Sequence, residues 1–251
     1  MKLAKPNRLD VQTARVIKHE PRVDVFVVDG VCVKEYRVPW HLRWREFCRR
    51  SRARREYDNI DAMHRCGLPT IEALEWIEAR RLGFTTSSTL HTRYLESTET
   101  MRQRLANPGG DDPRLARSVG IALRQIHEAG FVCNSASPRN WLLRKGDFAS
   151  TERPVLCDLP FVHRRSRSVV GTREAMVDLY AAALGESRRR ETTSDWRRHF
   201  LAGYCADDEE RMESLRTIGE GWTRRRFRFE RDFGIAKAHL RRLFSWMFRR
   251  T

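Results

Sequence analysis

Residues 126–143 read IHEAGFVCNSASPRNWLL, and residues 155–161 read VLCDLPF. The first stretch runs from a helix end through a proline-containing loop to Asn140 and an apolar exit that suits a strand. The second is a short buried strand carrying one carboxylate, Asp158, eighteen residues beyond Asn140. The order of these pieces carries more information than any one of them. Immediately upstream, Leu115, Val119, Leu123 and Ile126 recur at helical spacing, which predicts an amphipathic helix ending at Gly130.

Further out, residues 23–28 (VDVFVV), Asp29-Gly30 and residues 31–36 (VCVKEY) predict a β-hairpin, because Asp-Gly suits the mirror-image turns that match strand twist. Residues 71–79 and 84–95 hold β-prone runs that would extend this hairpin into an antiparallel sheet. Between them, residues 40–65 space Trp40, Trp44, Phe47, Tyr57, Ile60 and Met63 as on helical faces, with Gly67 and Pro69 as the stop. Residues 107–113 (NPGGDDP) are the clearest loop and are expected to separate this half from the next. Downstream, residues 176–184, 196–204, 209–218 and 235–250 read as helices, the last with Leu240, Leu243, Phe244 and Met247 on one stripe. The expected fold class is α+β with two lobes: an antiparallel β-rich lobe over residues 1–96 and a helical lobe over 97–251, joined near 94–97.

The 251 residues are 40% hydrophobic and 33% charged, which excludes a membrane-embedded or disordered chain and allows one sizeable core or two small ones. Lys and Arg total 49 against 33 acids, for a net charge of +16, and only six of the 49 are Lys. Residues 222–251 alone hold ten cations and two acids, half of the net charge. Such an excess attracts phosphate-rich partners without naming one. The first residues, MKLAKPNRLD, lack the apolar core of a signal peptide, and no run is long enough to span a bilayer, so a cytoplasmic location is expected. Six scattered cysteines without a C-x-x-C pair argue against a zinc site and a disulfide framework, and are expected to be reduced core residues.

Lys34 stands mid-strand and shares a strand face with Cys32 and Tyr36, while Glu56 lies in the following helical segment. Together with position 135, Asn140 and Asp158, these residues form a series that resembles the protein-kinase-like phosphotransferases. In that pattern a strand Lys holds nucleotide phosphates and pairs with a helix Glu. A loop Asp accepts the substrate proton, and an Asn and a later Asp hold Mg²⁺. Within that superfamily the chain looks most like the lipopolysaccharide kinase (Kdo/WaaP) family, on VCVKEYR, RREYDNIDAMHRCGLPTIEAL, IHEAGFVCNSASPRNWLL, VLCDLPF and WRRHFLAGY, over roughly residues 15 to 245. The resemblance implies ATP and Mg²⁺ as cofactors, transfer to a sugar hydroxyl on a lipid-linked core saccharide, and work at the inner face of the cytoplasmic membrane. Lys34 and Glu56 are then the nucleotide clamp, and Asn140 and Asp158 the metal ligands.

Three departures from the pattern stand out. Residues 18–22 (KHEPR) occupy the place of a glycine-rich loop, and Asp158 is followed by Leu-Pro where Phe-Gly is usual. The third is Ser135, at the position of the proton-accepting Asp. A serine hydroxyl is a poor base at neutral pH, and general-base assistance contributes about 10²–10⁴-fold, or about 3–5.5 kcal/mol of barrier. A weakened kinase is therefore expected. The alternatives are a catalytically inactive pseudokinase serving as a nucleotide-binding or regulatory module, a small-molecule phosphotransferase of the aminoglycoside or choline kinase kind, and a basic nucleic-acid-binding protein. The last is disfavoured because no nucleic-acid motif accompanies the charge. Eight Arg within residues 37–55 and the basic C-terminal helix offer instead a surface for anionic lipid.

Overall fold

The computed structural model describes residues 14–41, 43, 47, 49–107, 109–134, 136–146, 153–185 and 192–247, with side chains described only up to residue 237 in the last helix. The chain divides into two compact units, residues 1–61 with 71–96, and residues 62–70 with 97–251.

The first unit is a five-stranded antiparallel sheet in the order β1-β2-β3-β5-β4, built from β1 (Arg15–Glu20), β2 (Val23–Val28), β3 (Val31–Arg37), β4 (Ala73–Arg81) and β5 (Phe84–Arg93). Asp29 (φ 48°) and Gly30 (φ 72°) both adopt the left-handed conformation that a tight two-residue hairpin requires, and they set Val28 opposite Val31. Strand β1 was not foreseen, because all six of its residues are exposed and hydrophobic patterning carries no trace of such an edge. Helix α1 (Arg52–Arg65) is shorter than the aromatic spacing from residue 40 suggests. The Ser51 hydroxyl accepts a hydrogen bond from the Arg54 N–H at 3.2 Å and caps the helix there, while Trp40 and Phe47 are 80% and 50% exposed and bury no helical face. Trp44 lies outside the described residues.

The second unit contains β6 (Thr98–Thr100), α2 (Met101–Ala106), α3 (Pro113–Glu128), β7 (Phe131–Val132), β8 (Trp141–Arg144), β9 (Val155–Leu156) and β10 (His163–Arg164). The glycine-proline loop thus falls between α2 and α3, inside this unit, instead of dividing the halves. Two small sheets, β6-β8-β9 and β7-β10, hold the central loops. Helix α4 (Arg173–Leu179), which passes into a π turn (Tyr180–Leu184), is followed by α5 (Ser194–Cys205), α6 (Glu209–Glu220) and α7 (Arg224–Met247). Leu115, Val119, Leu123 and Ile126 of α3 are all buried, as their spacing predicts. They lie in the core with Phe131, Trp141, Trp196, Phe200 and Tyr204. Helices α3 and α5 meet at glycines: a Cβ on Gly120 would stand 2.1 Å from the Phe200 carbonyl, and one on Gly203 would stand 2.2 Å from the Arg117 carbonyl. Helix α7 starts eleven residues before the expected position 235, because Thr223 caps it through its hydroxyl, which accepts from the Arg226 N–H. Leu240, Leu243, Phe244 and Met247 lie beyond the described side chains. Among the described residues the cysteines form no disulfide; Cys133 and Cys205 are buried, but Cys66 is exposed in the turn after α1 and so is not a core residue.

Candidate nucleotide and metal site

In the first unit, α1 buries Ala53, Glu56 and Ile60 along one stripe, so the helix period itself carries Glu56 into the interior. A buried carboxylate is costly unless paired. Glu56 is paired twice: Lys34 Nζ donates to Oε1 at 2.7 Å, and the Tyr36 hydroxyl donates to Oε2 at 2.5 Å. The alternation of β3 accounts for this, since residues 34 and 36 point to the same face of the sheet. The Lys34 side chain remains 12% exposed while Glu56 is fully enclosed. Arg52 covers the Tyr36 ring at 4.7 Å. Burial and then the neighbouring Glu56 charge raise the Tyr36 phenol well above its ordinary pKa, so it stays a donor. Burial also raises the Cys32 thiol, against the opposing pull of Lys34.

In the second unit, three groups shape the loop that leads to position 135. Asp178 Oδ2 accepts from the Cys133 N–H at 2.7 Å and lies 3.2 Å from His127 Nε2, while His127 Nδ1 lies 2.7 Å from the Tyr204 hydroxyl. In the neutral ring this arrangement puts the proton on Nε2, facing the carboxylate, and lets Nδ1 accept from Tyr204. All three side chains are fully buried. Burial, then the Asp178 charge, pushes the Cys133 thiol well above the ordinary range, so it is no nucleophile. Asn134 adopts φ 58°, a conformation asparagine tolerates, and its amide donates to the Phe161 carbonyl at 3.0 Å. On the far side of position 135, Trp141 Nε1 donates to the Ala136 carbonyl at 3.2 Å. Ser135 itself lies outside the described residues.

Asn140 is 4% exposed and closes the short 3₁₀ turn Pro138–Asn140. Its carbonyl accepts from the Cys157 N–H at 2.8 Å, which brings the chain next to Asp158. Asp158 is half-buried in the left-handed conformation at φ 61°. An amide oxygen and a carboxylate form a hard-oxygen donor set, and two protein ligands supplemented by phosphate and water is the usual way Mg²⁺ is held, so the residues present fit that ion. The structure therefore joins Lys34 to Glu56 in one unit and brings Asn140 beside the residue preceding Asp158 in the other. Sequence reasoning missed the roles of Tyr36, Asp178 and Tyr204. A signal existed for Asp178, the lone carboxylate in the apolar run AMVDLYAAAL.

The β-rich unit with its buried Lys–Glu pair and the helical unit with its Asn and Asp beside short strands define a kinase-like phosphotransferase fold. A solved structure of WaaP in complex with acyl carrier protein shares this fold, with a TM-score of 0.57 and 19% identity over 84% of this chain and 90% of that one. No curated protein matches the sequence. The lipopolysaccharide kinase (Kdo/WaaP) family model matches residues 40–204, and the chain belongs to that family.

Proposed function

We propose that this protein binds Mg-ATP and transfers its γ-phosphate to a sugar hydroxyl of a lipid-linked core saccharide, at the inner face of the cytoplasmic membrane. The observation that carries the proposal is the Lys34–Glu56 pair: a lysine with 12% of its side chain exposed, held on a fully buried carboxylate that Tyr36 also grips. In this reading Lys34 clamps nucleotide phosphates and Glu56 holds Lys34. Asn140 and Asp158 would hold Mg²⁺, which when bound neutralises phosphate charge. Ser135 lines the acceptor side without acting as an effective base, so transfer is slow. An acyl carrier protein is a further proposed partner, on the strength of the complex in which WaaP was solved.

A second reading, a pseudokinase that binds nucleotide without turning it over, is favoured by Ser135 itself. Mg²⁺-dependent ATP binding by the purified protein tests what the two share. Binding is expected in the native chain and should be lost in Lys34→Ala and Asp158→Ala; no binding by the native chain would sink both readings. ATP turnover with inner-core lipopolysaccharide acceptors then separates them, since a pseudokinase gives none.

A further inference from the structure

Helix α7 has two apolar faces, and the fold covers one of them. On the inner side, Phe227 stacks on Tyr180 at 4.9 Å and 22°, Glu230 pairs with Arg173, and Arg231 lies over the Phe227 ring. Trp222, 2% exposed just before the helix, carries Arg226 over its ring. These contacts fix the rotation of the helix about its own axis. That rotation turns Phe229 and Phe233 outward, 65% and 55% exposed, with their rings stacked at 6.0 Å and 11°.

Single exposed phenylalanines are ordinary, but here an aromatic pair is framed by charge. Arg225, Phe229, Phe233 and Lys237 follow one another at four-residue intervals, all exposed, giving a cation–Phe–Phe–cation row along one helix face. Arg224 and Arg228 are exposed beside it. Both carboxylates of this part of the helix are already engaged, Glu230 by Arg173 and Asp232 by Arg231 at 2.9 Å, so the positive charge of the row is not locally cancelled.

We propose that this outward face of α7, centred on Phe229 and Phe233, is the surface by which the protein docks onto an anionic lipid bilayer. A helix face is convex and offers no groove for a folded partner, whereas the boundary between headgroups and acyl chains accepts a row of rings and lets flanking Arg and Lys reach lipid phosphates. The inference rests on the kinase reading only for its purpose, since a lipid-linked acceptor is presented at such a surface.

The test is co-sedimentation of the full chain with vesicles of phosphatidylcholine alone or mixed with phosphatidylglycerol, at low and physiological salt. Binding to the anionic vesicles is expected, weakened by salt. Phe229→Asp with Phe233→Asp should lower it about tenfold or more, the scale of losing two buried rings. Arg225→Glu with Lys237→Glu should abolish the preference for phosphatidylglycerol, which keeps the test decisive if the first variant folds poorly. Undiminished binding by either folded variant, equal binding to both vesicle types, or retention of this face by an acidic protein in the absence of vesicle binding would overturn the proposal. Mg-ATP binding, measured in parallel, fails separately if the kinase reading is wrong, and should be the same in native and substituted chains.

Discussion

Glu56 in the first unit and Asp178 in the second are both fully buried carboxylates, yet they serve opposite ends. Glu56 gathers two side chains, and one of them, Lys34, stays 12% exposed. Asp178 gathers a main-chain N–H and a histidine that is itself tied to Tyr204, and all of these are sealed from solvent. The first arrangement is chemistry held in place. The second is scaffolding for the loop that leads to position 135, a serine. Both regions thus rest on a buried carboxylate, while the residue by which the sequence departs most from the kinase pattern is Ser135, and stability and the proposed activity are set by different residues.

Restoring the changed function gives the largest effect. Ser135→Asp is expected to raise ATP turnover with core acceptors by about 10²–10⁴-fold while leaving ATP affinity unaltered. Equal turnover in the two proteins would place the base elsewhere. Removing the scaffold comes next. Asp178→Ala strips the Cys133 N–H and His127 of their acceptor, and leaving buried donors unsatisfied costs about 1–3 kcal/mol each, so denaturant unfolding should show a loss of about 2–6 kcal/mol. Asp178→Asn, which keeps an accepting oxygen, should lose less.

Tyr36→Phe probes the other region more gently. A hydrogen bond to a charged group contributes about 1.5–3 kcal/mol, and its loss should appear in unfolding as well as in weaker Mg-ATP binding. If Tyr36 acts through the Lys34–Glu56 pair, its unfolding loss should be non-additive with that of Lys34→Ala, as read by a double-mutant cycle on stability. The smallest effect is expected on acidification. His163 first, then Arg165, hold the Glu174 carboxyl down to about 2, below its ordinary 4.5. A depressed carboxyl stabilises the fold above its ordinary pKa, and that stabilisation drains away as pH falls through the range from 4.5 to about 2. Glu174→Gln should flatten the pH dependence of the unfolding midpoint in that range.

Much of this was legible in the sequence for local reasons. Asp29-Gly30 specifies its own turn, and the leucine and valine spacing of α3 specifies its buried face. The pairing of Lys34 with Glu56 could be expected from the resemblance, and the helix period explains why Glu56 turns inward. What escaped depended on contacts far apart in the chain. Strand β1 has no buried residue to betray it, and the His127–Tyr204 contact joins residues 77 positions apart. The aromatic spacing from residue 40 suggests one helix to residue 65, but α1 begins only at Arg52, after the Ser51 cap. Trp40 shows why: an aromatic at helical spacing signals a helix only when some core receives it, and this one is 80% exposed.

The main-chain bond from Cys157 to Asn140 carries one more consequence. It ties Asn140 to the residue that precedes Asp158, through atoms every residue possesses. The register of the pair is therefore indifferent to the Leu-Pro that follows Asp158, and to how many residues separate β8 from β9. Lengthening the chain there by design is expected to leave that bond, and with it the approach of Asn140 to the residue before Asp158, in place.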